Sequence, residues 1–97
     1  MLEHVVLFKF KPSTSKEEIA KIAEDLKALK GQVEGLVDLS IGDNFSTRNK
    51  GFDAGLVVRF TDEKALNAYQ EHPEHVRILT EQLKPNLDDV IAVDYHF

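Results

Sequence analysis

The stretch LEHVVLFKFK, residues 2–11, carries large or β-branched side chains on both of its faces. Residues of this kind favour extended backbone. Alternation puts His4, Val6, Phe8 and Phe10 on one side and Val5, Leu7, Lys9 and Lys11 on the other. A strand that is apolar on both sides needs cover on both sides, so the question is what the rest of the chain supplies. Pro12 ends the strand, because it cannot donate to a ladder.

A helix follows. Ser15 and Glu18 have the spacing of a capping box. Ile19, Ile22, Ala23, Leu26, Leu29 and Val33 recur at helical spacing, and Gly31 reads as a C-terminal stop. Residues 36–45 alternate Val37, Leu39 and Ile41 against Asp38 and Ser40, the pattern of a second strand, and the polar STRNKG that follows predicts a mobile loop. A third strand over 52–60 places Phe52, Ala54, Leu56, Val58 and Phe60 on one face. Thr61 or Asp62 caps a second helix with Ala65, Leu66 and Tyr69 inward. Pro73 interrupts that helix and suits the first position of a new one, with Val76, Leu79 and Leu83 inward up to Pro85. Residues 89–97 form a fourth strand.

The order β-α-β-β-α-β over one 97-residue domain predicts an α+β, ferredoxin-like fold, a four-stranded antiparallel sheet with helices on one face. The helices then cover His4, Val6 and Phe8 and leave Val5 and Leu7 bare. An uncovered apolar sheet face is an interaction surface, so the expected partner is a second copy of the chain, sheet against sheet.

Composition narrows the function. A net charge of −5 with scattered lysines and arginines argues against nucleic acid. With no cysteine there is no disulfide, thiolate metal site or thiol nucleophile. The apolar start is too short to span a bilayer and lacks the features of a signal peptide, so no membrane contact and a cytoplasmic location are expected. The five glycines are too dispersed to cradle a phosphate, and no serine sits in a G-x-S-x-G setting.

The segment EHPEH, residues 71–75, holds the chemistry. Two histidines three apart suggest zinc, but Pro73 breaks the helix that would aim them together, so no metal is expected there. A hydrated magnesium ion among surface carboxylates stays open. His72 reads as a cap beside Pro73, whereas His75 shares a face with Leu79 and Leu83, and Tyr69 shares one with Leu66. With His4 on the helix-covered strand face, three polar groups would meet in an apolar pocket lined by Val6, Phe8 and Leu79. A ligand-binding protein would keep that cavity open, whereas a purely structural one would fill it with Phe8, Phe10 and Phe60.

Taken together, HVVLFKFK, KGFD, LNAYQEHPEHV and DVIAVDY resemble, in order and over nearly the whole chain, the stress-responsive α/β-barrel (Dabb) family. The resemblance implies a dimer whose two ferredoxin-like sheets form a barrel. It also implies a site. In the family's plant olivetolic acid cyclase, which closes a linear polyketide without a cofactor, the catalytic tyrosine and histidine fall at Tyr69 and His75, and a further histidine falls at His4. Histidine suits a base near neutral pH, and a tyrosine hydroxyl suits an oxyanion donor. Three readings stay open: a cofactor-free cyclase or lyase using Tyr69 and His75, a non-enzymatic stress protein, and a cofactor-independent monooxygenase.

Overall fold

The computed structural model describes residues 1–97. The elements run β1 (Leu2–Phe10), α1 (Lys16–Lys27), β2 (Leu36–Asp43), β3 (Ala54–Phe60), α2 (Glu63–Glu71) and α3 (Pro73–Ile78). A π-helical turn (Leu79–Leu83), α4 (Lys84–Asn86) and β4 (Leu87–His96) complete the chain. The sheet is antiparallel in the order β2-β3-β1-β4. This is the ferredoxin-like arrangement read from the sequence, with the second helical region in several pieces.

Register fixes the two faces. His4 pairs with Val58 and Val6 with Leu56, and all four are buried under the helices. Val5 pairs with Val57 and Val93, and Leu7 with Gly55 and Ile91, on the opposite face. Leu7, Val57, Ile91, Val93 and Tyr95 are exposed there, so the face read as bare is bare within one chain. The core between sheet and helices includes Leu2, Val58 and Phe60 from the sheet and Ile22, Leu26, Tyr69 and Ile78 from the helices, all fully buried. Burial of an apolar side chain of this size contributes about 1.5–3 kcal/mol.

Local chemistry sets the helix ends. Ser15 Oγ accepts from the Glu18 backbone N–H at 3.1 Å, and the Asp62 carboxylate accepts from the Ala65 N–H at 2.9 Å. His72 takes ψ 132°, which stops α2; its Nδ1 then accepts from the Glu74 N–H at 3.1 Å and starts α3, with Pro73 in the first position. Gly35 lets α2 approach: a Cβ at its φ of +87° would lie 2.6 Å from the Ala65 Cβ.

Three details depart from the periodic reading. α1 ends at Lys27, and the chain reaches Val33 through turns closed by Leu29 N–H to Leu26 O and Gln32 N–H to Leu29 O, which still bury Leu29 and Val33. The Lys84 N–H bonds back to Leu79 O, five residues away, and this wider turn leads into Pro85. Finally, Val76 is 45 % exposed and Ile78 is buried instead, because α3 restarts at Pro73 in an orientation that α2 does not dictate.

Candidate active site

Tyr69, near the end of α2, is fully buried, and His75 reaches it from α3 with ring centroids 4.5 Å apart. His4, on β1 beneath them, meets Tyr69 edge-on at 6.1 Å. Phe60 lies 5.2 Å from Tyr69 and closes the cluster from the β3 side. Thus the three residues singled out in the sequence do converge, each delivered by a different element, while His72 is engaged in its cap.

The register of β1 and β4 adds a fourth residue. Asp94 stands opposite His4, and Asp94 Oδ1 is hydrogen-bonded to His4 Nδ1. An ionised carboxylate only accepts, so Nδ1 carries the proton, and in the neutral tautomer the lone pair is on Nε2. Sequence reading missed this pairing because the partners are 90 residues apart; aligning β1 against β4 in register would have found it.

Two buried polar atoms in the cluster have no partner, the Tyr69 hydroxyl and His75 Nδ1. Leaving a buried polar group unpaired costs about 1–3 kcal/mol. Burial pushes the Tyr69 hydroxyl up to about 12, so it stays protonated and is a donor at neutral pH. Burial also lowers His75 below the ordinary imidazole value, aided by nearby His4 and His72 and opposed by the Gln70 backbone, so its ring is neutral. The arrangement therefore pairs a hydrogen-bond donor with a free base.

The His75 shift has a consequence for stability. Its folded pKa lies below its unfolded value near 6.5, so the unfolded chain binds the extra proton first. The stabilising effect of a neutral His75 is complete above about pH 6.5 and declines as the pH falls below it. Melting curves between about pH 7.5 and pH 5.5 should show this loss in the wild type and less of it in His75→Gln; equal slopes would contradict it.

No residue of β4 from Asp88 to His96 is buried, and the Asp94 side chain is 42 % exposed beside the buried His4. Val6 and Phe8, expected to line the pocket, are buried in the core along β1 from His4, and Leu79 is partly buried against that core. A separate cleft of about 610 Å³ opens between α1 and the far end of the sheet, over Phe10, Ile19, Ile41 and Ala54. Ala20, Ala23 and Gly42 leave it open, and it shares no residue with the Tyr69 cluster.

The STRNKG segment, read as mobile, is tied by side-chain bonds to its own backbone: Asn44 Oδ1 accepts from the Ser46 N–H and Asn49 Oδ1 from the Gly51 N–H. Tyr95 is 48 % exposed on the outer sheet face, with its ring 6.3 Å from Phe97.

The family described as Stress responsive A/B Barrel Domain (Dabb) matches residues 2–97. The chain belongs to the Dabb family. Among its relatives, a stress-response A/B barrel domain-containing protein of Arabidopsis thaliana is 30 % identical over 96 residues, and the match spans 98 % of this chain but 36 % of that protein. This Dabb chain also superposes on the crystal structure of At3g17210 from Arabidopsis thaliana with a TM-score of 0.88 at 27 % identity, covering 100 % of this chain and 95 % of that one. A dimeric ferredoxin-like protein of unknown function from Jannaschia matches with a TM-score of 0.82 at 27 % identity, over 99 % and 98 % of the two chains. The hydroxynitrile lyase of Passiflora edulis has the same fold, with a TM-score of 0.86 at 17 % identity over 97 % and 90 %. No helix of this Dabb chain is long and apolar enough to cross a membrane.

Proposed function

We propose that this Dabb domain works as a homodimer and binds a small carbonyl compound between sheet and helices, where Tyr69 and His75 carry out cofactor-free lyase or cyclase chemistry. The reading rests on one observation, the buried, unpartnered Tyr69 hydroxyl and His75 Nδ1 on rings 4.5 Å apart. Neutral His75 removes a proton from carbon next to a carbonyl, and Tyr69 donates a hydrogen bond to the enolate oxygen that forms. The enolate carbon then attacks a second carbonyl and closes a carbon–carbon bond, and the proton held by His75 passes to the alkoxide that forms; the same steps run in reverse cleave such a bond. His4, held by Asp94, packs edge-on against Tyr69 and is a candidate second base. The homodimer is supported by the bare apolar sheet face and by the dimeric state of the Jannaschia protein of the same fold.

One observation favours the non-enzymatic reading. Phe8, Phe10 and Phe60 are all buried, as expected of a structural core, and the larger cleft lies away from Tyr69. A carbon-acid assay separates the two. Deuterium exchange at the central carbon of benzoylacetone, followed by NMR, should be accelerated by the wild type. Tyr69→Phe should lose about 10²–10³-fold of that acceleration, and His75→Ala at least as much. Tyr69→Phe should melt no lower than the wild type, since it removes an unsatisfied hydroxyl. No acceleration by the wild type, or variants that mainly lower the melting temperature, would leave the protein a structural one.

A further inference from the structure

α3 is six residues long, bounded by the extended backbone of His72 on one side and the π turn on the other. The break at His72 means that α3 does not inherit its orientation from α2, although its backbone stays helical through Leu79 into the π turn, so lateral contacts must hold it. The buried Ile78 and the packing of His75 on Tyr69 are two such contacts, and Asp25 on α1 makes polar ones. Asp25 Oδ2 accepts from Gln82 Nε2 at 2.7 Å and lies 3.5 Å from the Arg77 guanidinium and 3.5 Å from Lys21 Nζ.

Gln82 and Arg77 sit on either side of the junction between α3 and the π turn, so one carboxylate grips both pieces. Gln82 is buried and its Oε1 has no partner, so the bond to Asp25 is what its polar end has in place of water. Arg77 in turn reaches Glu74 at 3.2 Å and Glu81 at 3.5 Å, spanning the first turn of α3 and the π turn. The Asp25 carboxyl is held below its ordinary value, mostly by the Gln82 bond, and so remains an anion well below neutral pH. Isolated exposed pairs contribute little, but here several converge on a single acceptor with a short bond from a buried amide.

We propose that Asp25, acting through Gln82 and Arg77, is a positioning residue for His75: it clamps α3 to α1 so that the imidazole stays against Tyr69. The proposal rests on the reading of Tyr69 and His75 as the site. It assigns α1 a part in the site although α1 contributes no side chain to the Tyr69 cluster.

The test follows the imidazole itself, with neither substrate nor turnover. The titratable groups that face His75 are Tyr69 on α2, His72 at the cap and His4 on β1, joined to Asp94 on β4; an Asp25 substitution alters none of them. In Asp25→Ala, loosening of α3 admits water, and the His75 ring resonances should titrate at least about 0.5 pH unit closer to the ordinary value. Asp25→Asn, which keeps an acceptor for Gln82, should restore most of the difference, and the His96 titration should not move. Gln82→Met, close in size but unable to donate, should move His75 in the same direction even where Asp25→Ala fails to fold. A His75 titration within about 0.1 unit of wild type in a folded Asp25→Ala or Gln82→Met, with only the melting temperature lowered, would overturn the proposal. The diketone exchange assay decides the catalytic reading separately, so the two failures are distinguishable.

Discussion

Lysine in place of Val57 should leave the protein monomeric at micromolar concentration, where the wild type should sediment as the proposed dimer. Val57 lies on β3 at the centre of the bare face, paired with Val5 on β1 and Ser40 on β2, with Val93 beyond Val5 on β4. In the monomer this position already meets water, so the new ammonium costs the fold little and the melting curve of the monomer should be close to ordinary for its size. In a sheet-to-sheet dimer the same ammonium would be buried among valines and isoleucines, and the carboxylate diagonal to it on β2, Asp38, is already paired with Lys30 at 2.9 Å. Burying an unpaired charge costs several kcal/mol, and about 4 kcal/mol corresponds to roughly a 10³-fold weaker dimer. The Glu3–Arg59 pair at the end of the face, joined at 3.0 Å with the Phe97 ring 4.9 Å from the guanidinium, already satisfies its own charges and offers the lysine no partner. A dimer of unchanged affinity in Val57→Lys would move the interface away from this face.

What was legible in the sequence was what repeats. Period-two alternation in residues 2–11 and helical spacing after Ser15 specified elements, and their order specified the fold. Pro73 announced the break that lets Tyr69 and His75 come from different helices. What was not legible depends on register between distant segments. Nothing near His4 points to Asp94, and nothing near Asp25 points to Gln82; both pairs exist only once β1 lies beside β4 and α1 beside the π turn. Val76 departs from its expected burial for a related reason. Helical spacing says which residues share a face but not which face turns inward, and after a break at Pro73 the preceding helix no longer supplies that information. The exposure of β4 also follows from strand order, since an edge strand is paired on one side only and its apolar residues Val90, Ile91 and Val93 meet solvent.

The residue that emerged only from register carries the second large expected effect. Asp94→Asn keeps the size of the side chain and exchanges an acceptor for a group that also donates. The carboxylate compels His4 to hold its proton on Nδ1; an amide can turn its NH₂ to Nδ1 and let the proton move to Nε2. A ring in that tautomer carries a proton on Nε2 in place of a lone pair. When a carboxylate that orients a catalytic histidine becomes an amide, loss of the required tautomer can cost about 10⁴-fold. If His4 serves the proposed reaction as a second base, Asp94→Asn should lower diketone exchange by about 10²–10⁴-fold without unfolding the protein. Nitrogen-15 shifts of His4 should show the tautomer exchanged, an observation independent of turnover. Full exchange activity alongside a switched tautomer would remove His4 from the chemistry and leave Tyr69 and His75 to act alone. An unswitched tautomer with lost activity would instead give Asp94, whose side chain is 42 % exposed beside the buried His4, a direct part in holding the substrate.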